Sequence, residues 1–308
     1  SPDGRLVLTG SGDHTARLWD SQTGRLCHQF EGHTEWVWCV AFSPNGRLAL
    51  TGSFDKTARL WDAATGREIR RFIGHTESVT SVAFSPESRL VLTGSRDGTA
   101  RLWDAQSGQE LRRFEGHTSG ISSVAFSPDG RQVLTGSWDG TALLWDAQTG
   151  RELRQFGGHT GGVSSVVFNP DGRLVLTGSG EGAGQLWDAQ TGRLVRRFEG
   201  HTESLSSVAF SPDARLVLTG SWDKTARLWE TQTGREVCQF EGHTDGIFSV
   251  AFTPDGRRIL TGSWDGTARL WDAKTGEEIY VFYGLGEGGW ITLTQRAFVY
   301  DGQESTRQ

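Results

Sequence analysis

Thr57-Ala58-Arg59-Leu60-Trp61-Asp62 decides how this chain is read, because the phrase keeps returning. It comes back at Trp103-Asp104, Trp145-Asp146, Trp187-Asp188, Trp229-Glu230 and Trp271-Asp272, and it stands earlier at Trp19-Asp20. The seven tryptophans are 42 residues apart each time, with no insertion or deletion. A fixed period of this length marks a stack of supersecondary units, each too small to bury its apolar face alone. Seven such units cover residues 1–294, which predicts one domain there and a polar tail over 295–308.

Working outward from Trp61 gives one unit in full. Glu31-Gly32-His33-Thr34 reads as a loop and Val37 to Phe42 as a short apolar strand, a. Ser43-Pro44-Asn45-Gly46 supplies the backbone angles of a tight turn. Leu48 to Ser53 follows as strand b, and Phe54-Asp55-Lys56 as a second turn. Thr57 to Trp61 alternates polar and apolar residues, as a half-buried strand c does. Ala63-Ala64-Thr65-Gly66 turns the chain into strand d, Glu68 to Phe72. Short strands at a spacing of about ten residues, repeated seven times, predict an all-β protein. Radial stacking leaves only short, protected edges, so the expected architecture is a seven-bladed β-propeller of four-stranded antiparallel blades.

The Gly-His near the start of a unit, Ser-x-Asp-x-Thr in its middle and Trp-Asp at its end resemble the WD40 family, over essentially the whole chain. The uniformity of the units is most similar to the recently amplified WD40 arrays of multidomain bacterial signalling proteins. The chain contains no methionine and begins mid-repeat at Ser1-Pro2-Asp3-Gly4, so it is expected to be a piece of a longer protein. The resemblance implies a blade shared by the two chain ends. The first unit starts at strand b, and Trp290-Ile291-Thr292-Leu293-Thr294 falls where a strand a is due, with Leu285 in place of the histidine. Residues 290–294 are therefore expected to pair beside Leu6 to Thr9, so that blade 1 is 290–294 plus 5–30 and no open sheet edge remains.

His33, His75, His117, His159, His201 and His243 each share a unit with a hydroxyl, an acid and a tryptophan. Taken once, such a set reads as a catalytic triad. It recurs in nearly every unit, and an active site seldom occurs six times. The resemblance implies structural hydrogen-bonded tetrads: His33, Asp55 and Trp61 with Thr51 or Ser53; then His75, Asp97 and Trp103; His117, Asp139 and Trp145; His159, Glu181 and Trp187; His201, Asp223 and Trp229; His243, Asp265 and Trp271. A fully satisfied network of this kind rigidifies its surroundings. The fifth unit departs, with Gly180-Glu181-Gly182-Ala183-Gly184-Gln185. The extra methylene of Glu181 is expected to spoil the short geometry, and the added glycines to loosen this blade.

Outside the repeat no cluster of histidine, carboxylate and nucleophile stands out, so no enzyme, cofactor or metal site is expected. Cys27, Cys39 and Cys238 occupy different repeat positions without a CxxC pair, which points to a reducing, cytoplasmic compartment. A net charge of −6 disfavours nucleic acid as partner. No apolar run approaches the roughly 20 residues that would cross a membrane.

Thirteen tryptophans are present, and six fall off the beat: Trp36, Trp38, Trp138, Trp222, Trp264 and Trp290. Trp138, Trp222 and Trp264 take the variable place of Ser-x-Asp, where Phe54, Arg96, Gly12 and Gly180 stand in other units. Trp36, Trp38 and Phe248 lie at the start of strand a, and Trp290 at the equivalent place of the first blade. Both positions belong to the rim that carries the d–a loops and b–c turns. The resemblance implies peptide binding there. Blades 6, 7, 1 and 2 are expected to carry one aromatic arc, with Trp138 of blade 4 standing across from it. Arg17, Arg59, Arg101, Arg227 and Arg269 of strand c are expected to pair with acidic residues between blades. Exposed aromatic clusters demand a use or a cover, and aromatic anchors dominate binding hot spots and attract Arg or Lys. The expected function is a non-catalytic protein- or peptide-binding scaffold or sensor module, a monomeric propeller within a larger chain, whose partner carries Arg or Lys. The alternatives are a fused autoinhibitory sensor with no peptide ligand of its own, and rings that merely pack on one another.

Overall fold

The computed structural model describes the backbone of residues 1–285, 289–294 and 298–301, and the side chains of residues 1–282. The second unit forms a sheet of strands a, b, c and d over Val37–Phe42, Leu48–Ser53, Thr57–Asp62 and Glu68–Ile73, each antiparallel to the next. Sheets of the same order start at Val79, Ile121, Val163, Leu205 and Ile247. The first sheet holds strands b, c and d alone, at Leu6–Gly10, Ala16–Asp20 and Leu26–Phe30. The chain is all-β among the described residues, a seven-bladed propeller.

Turn chemistry explains the strand boundaries. Gly46 adopts φ 70° and its N–H reaches Ser43 O at 2.8 Å, closing the a–b turn. Only glycine enters that left-handed region without steric cost. Ser88 and Ala214 stand at the same repeat position with φ 61° and 59°. A bulge recurs between strands c and d: Leu60 faces Arg70 whereas Trp61 faces Glu68, leaving Ile69 as the extra residue.

The tryptophan period has a packing cause. The indoles from Trp61 to Trp271 each lie on the strand-d phenylalanine of the preceding blade: Phe30 with Trp61 at 5.2 Å between centroids, Phe72 with Trp103 at 5.6 Å, and Phe198 with Trp229 at 5.9 Å. Around each pair sits an interblade core, such as Leu50, Leu60 and Phe72 of one blade against Val79, Val82 and Val91 of the next. Six such cores join the sheets from first to last. Burying this apolar surface is the dominant favourable term in assembling the stack. Serine and threonine add polar stitches at the innermost strands. Thr80 Oγ1 donates to Ile121 O and Ser164 Oγ to Leu205 O, each in the following blade, while Ser81 Oγ accepts from Val124 N.

The expected closure is not what the chain does. Gly289–Thr294 pairs antiparallel with the outer strand Glu278–Leu285, running from Leu285 opposite Gly289 to Tyr280 opposite Thr294. Phe298–Asp301 then adds outside it, so the last sheet has six strands and part of the expected tail is strand. Residues 290–294 do not pair with Leu6–Gly10, and the first sheet is not completed by them. Strand d of the last sheet runs on to Leu285, whereas the matching strand of the sheet before it ends at Phe240, the counterpart of Phe282. The longer strand offers an outer edge with which Gly289–Thr294 pairs. Two side chains feel the absent inner strand. Val7 is 42% exposed and Leu260 36%, whereas the matching Val91 and Leu92 are fully buried.

Candidate binding rim and the tetrads beneath it

The tetrads form as a continuous relay in each of the six sheets from blade 2 to blade 7. His33 Nδ1 donates to Asp55 Oδ2 at 2.7 Å, and its Nε2 lies 2.7 Å from Thr51 Oγ1. Trp61 Nε1 donates to the same Thr51 oxygen at 2.9 Å. Thr51 therefore completes the set, and Ser53 instead donates to Glu35 O and accepts from Asp55 N. Asp55 also receives Thr34 N, Thr57 N and the Thr57 hydroxyl, which ties the d–a loop to the b–c turn. His75, His117, His201 and His243 repeat these bonds with Asp97, Asp139, Asp223 and Asp265. Burial raises the Asp55 carboxyl, but hydrogen bonds from His33 and Thr57 outweigh it and hold the group well below the usual carboxylate range. In blade 1, Trp19 Nε1 still donates to Thr9 Oγ1, and Asp13 pairs with Arg17 at 2.6 Å.

The fifth blade keeps the relay despite its different wording. Glu181 Oε1 sits 2.9 Å from His159 Nδ1, no longer than the His117–Asp139 bond. Its second oxygen accepts Thr160 N and the Thr160 hydroxyl at 2.6 Å. The longer side chain reaches further along the loop instead of losing its bonds. Gln185 Nε2 donates to Glu181 Oε1 at 3.0 Å, in place of the threonine that Ala183 replaces. Burial raises the Glu181 carboxyl, yet bonds from Thr160 and His159 lower it to about 2.

The strand-c arginines do not bridge blades. Arg59, Arg101, Arg227 and Arg269 each pair with a glutamate of strand d in their own sheet, at 2.6 to 2.8 Å. The c–d bulge brings Glu68 back toward Arg59. These pairs are part of the blade and leave little for a ligand.

Above the tetrads the off-beat residues gather at one rim, where the variable residue of each b–c turn is tied to the foot of strand a. Phe54 N reaches Trp36 O, Arg96 N reaches Ser78 O, Trp138 N reaches Gly120 O and Trp264 N reaches Gly246 O, all at 2.9 to 3.1 Å. The side chains of this position stack blade to blade. Phe54 lies against Trp38 at 5.2 Å and Trp36 at 6.0 Å. The Arg96 guanidinium sits over Phe54 at 4.8 Å and over Trp138 at 5.5 Å. Trp222 stacks on Trp264 at 6.2 Å with planes 21° apart, and Phe248 meets Trp264 edge-on. Trp36, Trp38, Trp138, Trp222, Phe248 and Trp264 remain 40–51% exposed.

Two expectations about this rim change. The arc is two groups, and Trp138 is not isolated across the ring: Arg96 links it to Phe54. The backbone of Trp290 pairs with Gly284 and Asp301 in the last sheet and not beside the first. Its side chain lies outside the described residues. Arg96 was singled out by position alone, and its cation–π role needed the neighbouring blades to be placed.

Known proteins match where the repeat predicts. The family model described as "WD domain, G-beta repeat" matches residues 1–20, 24–62, 66–104, 108–146, 150–188, 192–230 and 234–272. Ribosome assembly protein 4 of Saccharomyces cerevisiae is 49% identical over 37 residues, 12% of this chain and 7% of its own length. Human WD repeat-containing protein 86 is 51% identical over 37 residues, 12% of this chain and 10% of its own length. The chain thus spans a tenth or less of the length of these relatives, about one repeat. The WD40 propeller is typically a non-catalytic scaffold for protein–protein interaction. By the seven consecutive matches, this chain belongs to the WD40 repeat family.

Proposed function

We propose that the aromatic rim is a peptide-binding surface that takes a protein segment bearing arginine or lysine. The observation that carries the reading is the exposure of six large aromatic side chains on one end of a rigid stack. A patch of this kind is costly to solubility unless a partner covers it. Rings held by stacking lose little conformational freedom on binding, which is what a hot spot requires. The acidic residues that follow His-Thr on the same rim, Glu35, Glu77, Glu203 and Asp245, suit a cationic segment. The opposite turns are polar and nearly identical from blade to blade, and turn chemistry accounts for them.

A peptide array screened with the intact chain, and in parallel with the Trp222→Ala/Trp264→Ala double variant, tests the proposal. Enrichment of Arg- or Lys-containing peptides that disappears with the double variant supports it. Enrichment that persists, or that favours acidic peptides, counts against it.

A further inference from the structure

The side chains at the variable Ser-x-Asp position form a ladder that runs from blade to blade. Phe54, Arg96 and Trp138 occupy consecutive rungs, and Trp222 and Trp264 two more, each in contact with the next. Two rungs are glycine. At Gly12 the gap is covered, since Trp36 leans across to within 3.6 Å of where a Cβ would stand. At Gly180 the three atoms nearest to a Cβ are all backbone, of Gly161 and Gly162, at 3.6 Å and beyond. Trp138 lays its six-membered ring over Gly120 toward Arg96 and turns its Cδ1 edge to Gly162, and Trp222 lies over Gly246 toward Trp264. Each therefore turns one ring face to its own group, and the missing rung stands between the two groups.

A second vacancy coincides with the first. In the b–c turn of blade 2, Lys56 reaches the exposed Glu77 of blade 3 at 3.9 Å. Blade 5 has Gly182 at the lysine position, and a Cβ there would meet Glu203 O at 2.8 Å, so Glu203 lies directly beside this turn. Ser204 Oγ donates to Gly180 O at 2.9 Å and fixes the neighbouring backbone. Among the described residues the exposed Glu203 carboxylate has no ion pair. The gap thus lacks both a flat group and a cation, and the same rim shows what fills such a rung, because Arg96 does so between Phe54 and Trp138.

We propose that the Gly180 gap seats one arginine side chain of the bound segment, its guanidinium completing the ladder between Trp138 and Trp222 and its charge facing Glu203. This rests on the rim being a peptide-binding surface. Guanidinium suits the place better than ammonium, being flat, weakly hydrated and able to stack while it pairs with a carboxylate.

The test titrates acetyl-Gly-Arg-Gly-amide into the full chain and follows the indole N–H resonances by NMR, assigned through single Trp→Phe variants. Shifts confined to Trp138 and Trp222 are expected, with acetyl-Gly-Lys-Gly-amide binding more weakly. Gly180→Arg supplies the rung from within and is expected to weaken the arginine probe about tenfold, while Gly180→Ala leaves it unchanged. Glu203→Gln is expected to weaken it severalfold. Gly180 has no positive φ and a Cβ there would make only ordinary van der Waals contacts, so both substitutions at 180 fold, which an unchanged Tm verifies. Shifts at Trp36, Trp38 or Trp264 alone, with Gly180→Arg binding as before, overturn this seat and leave the rim reading standing. No indole shift at all with either peptide overturns both.

Discussion

Trp103 lies on Phe72 of the preceding blade with ring centroids 5.6 Å apart, while its indole N–H donates to Thr93 of its own blade at 2.9 Å. One side chain thus joins the core between two blades to the tetrad within one. Phe72 is 2% exposed, so Phe72→Ala opens a cavity at the seam and should cost about 3–5 kcal/mol. Trp103→Phe keeps most of the ring contact and removes one bond to the Thr93 hydroxyl, which keeps its bond to His75, and should cost about 0.5–1.5 kcal/mol. Urea denaturation of the two variants checks the order, and equal costs would show that the seam contact is not the larger contribution.

Acid should destabilise the protein in two stages. Burial lowers the pKa values of His159 and His243 below 6.5, against the opposing pull of Glu181 and Asp265. Below pH 6.5 the unfolded chain takes up protons that these folded histidines refuse, so stability falls as pH drops. Glu181 is depressed from 4.5 to about 2, and Asp265 from 3.8 to about 2, by hydrogen bonds that outweigh burial. Their contribution is full above the unfolded values and is lost as pH falls toward 2. Urea midpoints at pH 7.5, 5.5, 4 and 3 should decline throughout. A midpoint constant between pH 7.5 and 4 would contradict the tetrad electrostatics.

Ala214 and Ser88 hold φ near 60° at a turn position where other units place glycine. A Cβ in this region costs roughly 1–2 kcal/mol, of which the extra unfolded-state freedom of glycine returns part. Ala214→Gly should therefore stabilise by about 0.5–1 kcal/mol, and Gly130→Ala at the equivalent place should destabilise. Thermal melts of both measure the signs.

Blade 5 should be only slightly looser than its neighbours. Its carboxylate keeps the relay to His159, and its strand c is as buried as that of blade 3. The remaining penalty is glycine entropy, about 0.5–1 kcal/mol, or severalfold in an exchange rate. Amide exchange in Gly184–Asp188 within about tenfold of that in Ala100–Asp104 fits this. A difference of a hundredfold or more would show that Glu181 does not substitute for aspartate.

The blades and tetrads were legible in the sequence because each is specified locally and repeated, so one solved unit solves the others. Thr51 rather than Ser53 could not be chosen, since both face the tetrad region and only the strand register separates them. The closure was misread for a physical reason. The apolar pattern of 290–294 suits any strand, and the extension of strand d to Leu285 gives it an edge that the repeat pattern does not foretell. At the rim, the residue types were visible and their partners were not. Arg96 joins Phe54 to Trp138 only because adjacent b–c turns stack, and Gly180 matters only because the atoms nearest to a Cβ there are backbone. The acidic residue after His-Thr was a readable signal, with Glu203 set against a turn that lacks lysine.

The central claim is that the rim aromatics serve a partner and not the fold. The most direct measurement is the paired affinity and Tm of the Trp222→Ala/Trp264→Ala variant, using an arginine-containing peptide selected by the intact chain. The account predicts that binding falls beyond detection while Tm stays within a few degrees, because the two half-exposed rings stack mainly on each other. Retained binding, or a Tm lowered as far as by Phe72→Ala, would contradict it.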